Sequence, residues 1–141
     1  MADNGSEGDG EVALRACTIS RDVQNFDLLI EDMESLLGDA WGDLGFEEGV
    51  CFLAEDASKA LDFIVLVIDA FDEDEVDQLE EVLAAARAAG VPVVTVAEDV
   101  TPATLGRLGR AGAGECLAYP LAEGALEAAA ERLGRVSRET A

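Results

Sequence analysis

The sequence predicts an α/β fold, a five-stranded parallel sheet with helices on both faces whose second strand is short or irregular. Three observations predict it. Phe63 to Ile68 reads FIVLVI, an unbroken apolar run between Asp62 and Asp69. That continuity suits a central strand covered on both faces, where every side chain meets a helix whichever way it points. Strand-like and helix-like segments alternate about five times, as in parallel strands joined by helical crossovers. Half of the 141 residues are hydrophobic but only 5% are aromatic, which suits aliphatic helices on a sheet within one domain.

The elements follow in order. Residues 1–10 (MADNGSEGDG) are acidic and Gly-rich, offer nothing to bury, and read as a disordered leader. The domain is expected over 11–136, with 137–141 as a C-terminal tail. Val12 to Ser20 (VALRACTIS) is strand-like, and Asp22 opens a helical pattern. Phe26, Leu29, Ile30, Met33, Leu36 and Leu37 recur there at three- and four-residue steps, and Gly38 ends the helix. Ala40 to Leu44 (AWGDL) fits either a short strand or an irregular connection. Its Trp41 reads as packed on the domain in preference to a partner-binding tip. Phe46 to Ala54 is helical, with Phe46, Val50 and Leu53 in phase and Gly49 weakening it.

After the central strand comes FDEDE (Phe71 to Glu75), read as a solvated helix start whose charge complements the helix dipole. The helix carries Val76, Leu79, Val82, Leu83 and Ala86 on one face and closes at Gly90. Pro92 to Val96 is a second buried strand. Thr101 and Pro102 have the cap-then-proline signature of a helix start, with Leu105 and Leu108 as the apolar side. Gly112 to Ala118 holds the last strand. Leu121 to Val136 is the last helix, its inward stripe being Leu126, Ala129, Leu133 and Val136.

Nine basic residues stand against 31 acidic ones, a net charge of −22. Such a surface repels phosphate backbones and anionic headgroups, which argues against nucleic acid and direct membrane contact as partners. The three cysteines, Cys17, Cys51 and Cys116, are odd in number, widely spaced and flanked by apolar residues, as buried thiols of a reducing cytoplasm are. The chain has no CxxC pair and no histidine, so neither a metal site nor any other cofactor is expected.

In a parallel sheet of this kind ligands collect at the carboxyl ends of the strands. The residues expected there are Ser20, Arg21 and Asp22, then Asp69 and Ala70, Ala97, Glu98 and Asp99, and finally Tyr119 and Pro120. Arg21 and Asp69 lie at the same edge and are expected to pair.

Gly112 to Pro120 (GAGECLAYP), lying between two amphipathic helices, resembles the end of a response-regulator receiver domain. Together with the strand ending at Asp69 and the Pro92 strand, the resemblance spans about residues 11 to 136 and implies the CheY-like, flavodoxin-like architecture. Four stretches resemble the N-terminal receiver-like domain of the CpaE/TadZ pilus-assembly family: Thr18 to Glu34, Trp41 to Glu48, Val96 to Leu105 and Tyr119 to Leu126. Members of that family usually continue into a ParA/MinD-type ATPase domain with a Gly-rich phosphate loop, and no such loop occurs before Ala141.

A phosphorylatable receiver needs an acceptor aspartate, two further carboxylates for Mg²⁺, a hydroxyl and a lysine. By this resemblance Asp69 is the acceptor candidate, two residues beyond the expected place. Arg21 and Asp22 stand for the acidic pair, Ala97 for the hydroxyl residue, and Tyr119, before a Pro120 expected in cis, for the lysine. The only lysine, Lys59, precedes the central strand. The expectation is a non-enzymatic, cytoplasmic interaction or targeting domain for Tad (Flp) pilus assembly, mediating dimerisation or polar localisation with other pilus-assembly proteins. The alternatives are a phosphoacceptor receiver using Asp69 and a small-molecule sensor using the strand-end crevice. Receivers commonly pair through the fourth helix, fifth strand and fifth helix. A homodimer is therefore expected through Arg107, Arg110, Arg132 and Arg135, near Arg138.

Overall fold

The computed structural model describes residues 14–140, with side chains as far as Leu133. The expected leader lies outside the described residues. Strands β1 (Ala16–Ser20), β2 (Trp41–Leu44), β3 (Phe63–Asp69), β4 (Val93–Glu98) and β5 (Glu115–Ala118) form one sheet in the order β2-β1-β3-β4-β5. Every neighbouring pair is parallel. Helices α1 (Asp27–Leu37), α2 (Phe46–Leu53), α3 (Val76–Ala89), α4 (Pro102–Arg110) and α5 (Ala125–Thr140) supply the crossovers and the closing element.

The two-residue period of β3 divides the interior into two layers. Ile64, Leu66 and Ile68 join Cys17 and Ile19 beneath α2, α3 and α4. Phe63, Val65 and Val67 join Ala16 beneath α1 and α5, through Leu29, Met33, Leu126 and Ala129. All six apolar residues of FIVLVI are buried, as a strand with helices on both sides requires.

Several boundaries differ from the sequence reading. Asp22 does not begin α1. Its side chain caps a 3-10 turn, Val23–Asn25, and α1 follows at Asp27. The segment around Trp41 is a genuine strand, held to β1 by the register Ala16↔Trp41 to Ile19↔Leu44, and Trp41 packs against the α1 and α5 layer. Leu121 to Gly124 precede the last helix and do not open it, and its backbone runs through Thr140, taking in positions expected as tail. Only Cys17 is buried, and burial pushes its thiol up to about 11. Cys51 and Cys116 are exposed, because each lies on the outward side of its element.

Candidate functional site

In the order β2-β1-β3-β4-β5 the chain reverses direction across the sheet between β1 and β3, so the crevice opens at their carboxyl ends. An ion-pair cluster fills it. The Arg21 guanidinium donates from Nη2 to both carboxylate oxygens of Asp69, at 2.8 and 3.0 Å. Its Nε reaches Asp72 Oδ1 at 3.2 Å. The guanidinium carbon also lies 5.4 Å from the ring centre of Phe71, a side chain that is 78% exposed.

The turn after β3, Ala70–Glu75, makes this geometry local. Asp69 and Asp72 form a capping box: Asp69 Oδ1 accepts from the Phe71 N–H at 2.9 Å, and Asp72 Oδ2 accepts from the Asp69 N–H at 2.9 Å. Asp72 is therefore buried, contrary to the reading of FDEDE as a solvated helix start. Burial holds its carboxyl above the ordinary range, opposed by the Asp69 N–H and by Arg21. The turn is a surface element from which Asp72 alone is buried, its carboxylate turned inward to Arg21 and to the Asp69 N–H.

The next acidic residue ties the same turn to α4. Glu73 accepts from the Thr101 N–H at 3.0 Å, from the Thr101 hydroxyl at 2.8 Å and from the Thr104 hydroxyl at 2.9 Å. These bonds lower its carboxyl from the usual range. On the other flank Asp43 of β2 accepts from Thr18 Oγ1 at 2.6 Å and Ser20 Oγ at 3.1 Å, which turns the Ser20 hydroxyl towards β2.

The remaining sequence-predicted residues fall around this cluster with separate tasks. Asp22 accepts from the Gln24 N–H at 3.1 Å as a cap. Ala97 is buried in the α3 and α4 layer, level with Ile68 and Ala118, and brings no hydroxyl. The Tyr119–Pro120 bond is cis. Tyr119 stacks edge-on against Phe26 with ring centres 5.0 Å apart, and its hydroxyl accepts from the Leu28 N–H at 3.1 Å. It thus serves the start of α1 and makes no bond to Asp69.

The arginines of the expected interface divide. Arg107 is held by Asp77 at 2.8 Å and Glu80 at 2.7 Å, both on α3, and Arg132 by Glu115 at 2.7 Å. Arg110 is exposed, and the side chains of Arg135 and Arg138 lie outside the described residues. Sequence reasoning missed Asp72, Glu73 and Asp43. The only signal for Asp72 was its three-residue distance from Asp69, the spacing of a capping box, and Glu73 carried no such signal. Asp43 carried none.

A divalent cation, which the receiver resemblance implies, does not fit these residues. Both oxygens of Asp69 face one guanidinium nitrogen, both oxygens of Asp72 accept hydrogen bonds, and Asp22 is spent on its cap. Asp69 also lies two residues past Val67, the residue level with Ser20, or about 6.6 Å further along the strand. Among the described residues no three Cys, Asp or Glu side chains gather as a metal donor set. The arrangement can fix the β3–α3 turn rigidly between β1 and α4. It offers a phosphoryl group neither a lysine nor a hydroxyl.

No family model matches this sequence, and no curated protein matches it. Solved structures do. A protein described as pilus assembly-related from Burkholderia pseudomallei superposes with a TM-score of 0.60 at 21% identity, over 86% of this chain and 90% of that one. One described as the pilus assembly protein CpaE, from Burkholderia thailandensis, gives 0.56 at 25% identity over 86% and 98%. The signal receiver domain of a modulated diguanylate cyclase from Desulfovibrio desulfuricans gives 0.59 at 18% identity over 91% and 99%. The chain has the receiver-like α/β fold that these pilus-assembly and response-regulator structures share.

Proposed function

We propose that this chain is a non-catalytic interaction domain of the pilus-assembly type, acting in the cytoplasm to position or pair a larger assembly. The observation that carries the reading is the Arg21–Asp69–Asp72 cluster, in which a guanidinium takes up the carboxylate oxygens that a divalent cation would need at Asp69. The likeness to structures described as pilus-assembly proteins supports the choice of process. Among the described residues no helix is long and apolar enough to cross a membrane, and the charge of −22 supports a protein partner over nucleic acid or lipid.

In the same reading a second copy pairs through α4, β5 and α5. Arg107 and Arg132 are committed within the chain and do not offset the repulsion between two chains of net charge −22, so this contact strengthens as salt screens that repulsion, and light scattering at low and moderate salt tests it. A protein monomeric in both at high concentration removes the homodimer.

The test of the main reading is incubation with acetyl phosphate and Mg²⁺ followed by intact mass. No increment is expected. An increment that disappears in Asp69→Asn would overturn the interaction-only role and establish the phosphoacceptor alternative.

A further inference from the structure

We propose that the groove between α2 and α3 docks a basic, apolar-anchored segment of a partner protein, an inference that rests on the interaction role above. The groove is open to solvent and has a volume of about 670 Å³. Its floor is made by the largely buried Phe46, the half-buried Val50 and the exposed Cys51 of α2, with Gln78 of α3 also lining it. Helical spacing sets Phe46 and Val50 four residues apart, in one row along the helix.

The rim is acidic from both sides. Glu47 rises from α2, and Glu75, Asp77 and Glu81 from the start of α3. Asp77 is paired with Arg107. Among the described residues no cation lies within ion-pair distance of Glu47, Glu75 or Glu81, all three exposed. Carboxylates facing one another across a groove repel and make its potential more negative, and an incoming cation offsets that repulsion while apolar side chains cover the floor.

Charge selects the occupant. A second copy brings a further net charge of −22, and five of its seven cations with described side chains, Arg15, Arg21, Lys59, Arg107 and Arg132, are already paired with carboxylates, leaving Arg87, bonded to the Ala111 carbonyl, and the exposed Arg110. Nucleic acid and anionic lipid are repelled by the rim. A bare apolar segment would leave three carboxylates desolvated without partners. The fitting ligand places apolar residues at three- or four-residue steps and flanks them with Lys or Arg, the chemistry of an amphipathic helix laid in a groove.

The test uses the full chain and a fluorescein-labelled synthetic helix of leucine and lysine, leucines in one stripe, with a second peptide carrying serine for leucine and with spermine as a small polycation. Backbone amide shifts map the site, and anisotropy gives affinity. Shifts confined to 46–51 and 75–81 are expected, together with a loss of at least about tenfold in affinity in Glu47→Gln/Glu81→Gln. The matched pair Glu31→Gln/Glu34→Gln, exposed on α1, should change affinity by less than about twofold. Shifts spread over the whole acidic surface, equal binding of the serine peptide, or an equal loss in the α1 pair would overturn the site. Spermine reproducing the leucine peptide's shifts at similar affinity would replace the partner segment by a small polycation. Failure in any of these ways leaves the acetyl phosphate result unchanged, and phosphorylation of Asp69 would leave the groove's shift map unchanged, so the two failures are separable.

Discussion

Arg21 Nη2 lies 2.8 and 3.0 Å from the two oxygens of Asp69, joining the end of β1 to the end of β3 across the sheet's open edge. The same guanidinium is the only charged partner of the buried Asp72 among the described residues. Removing it strands a carboxylate with little access to water, so Arg21→Ala should lower the urea-unfolding free energy by about 2 kcal/mol. Arg21→Lys should recover only part of that, because an ammonium lacks the fork that serves two carboxylates together. A loss within about 0.5 kcal/mol would show the pair behaving as an ordinary surface ion pair.

Asp72 makes stability depend on pH with an unusual sign. Burial, the largest influence, raises its carboxyl above the ordinary 3.8. The folded chain therefore binds this proton more readily than the unfolded chain, and the contribution of Asp72 to stability falls as pH rises from 3.8 through its folded midpoint. A carbon-detected titration should place that midpoint above 3.8, and higher again in Arg21→Ala, where an opposing charge is gone. A midpoint at or below 3.8 would contradict the burial argument.

Glu73 carries the opposite sign. Hydrogen bonds from Thr101 and Thr104 lower its carboxyl below the ordinary 4.5, so its contribution is present above that value and is lost as pH falls through its lower folded midpoint. Glu73→Ala should loosen the start of α4 specifically. The Leu105 amide, which donates to the Thr101 carbonyl at 3.0 Å, should exchange severalfold faster, while amides in β3 keep their protection. Equal acceleration in both would mean global destabilisation.

The fold was legible because its signals are periodic. FIVLVI could bury all its residues only between two helical layers, and the inward stripes of α1 and α3 repeat at helical steps. Asp69 and Arg21 were legible as strand-end residues for the same reason. What escaped was non-periodic. Asp72 and Glu73 look alike in the string FDEDE, yet one turns inward to Arg21 and the other outward to α4, a difference set by the 3-10 turn and not by residue type. β2 is four residues long with Gly42 and Asp43 inside it, and its pairing with β1 decides its conformation over its weak intrinsic preference. The cysteines misled because apolar neighbours in sequence do not place a thiol on the inner face, as Cys51 and Cys116 show.

Gly49 reverses a sequence inference, and its reversal can be measured. In sequence it weakens α2, at about 1 kcal/mol relative to alanine. In the fold α2 lies so close to β1 that a methyl group there would sit 2.7 Å from Ile19 Cδ1 and 3.1 Å from its Cγ1 and Cγ2. Ile19 is 1% exposed and packed against β3 and α2, so it has little room to yield. Overpacking of this kind costs about 1–3 kcal/mol, more than the propensity gain, and Gly49→Ala should be destabilising by about 1 kcal/mol. Ile19→Val removes the Cδ1 atom and alone costs about 0.5–1.5 kcal/mol. If the contact is the cause, the double variant is less destabilised than the two singles added, since each relieves the other's penalty. Chemical denaturation of the four proteins gives the coupling directly, and strict additivity, or a Gly49→Ala chain more stable than the parent, would remove helix-to-strand approach as the reason for this glycine.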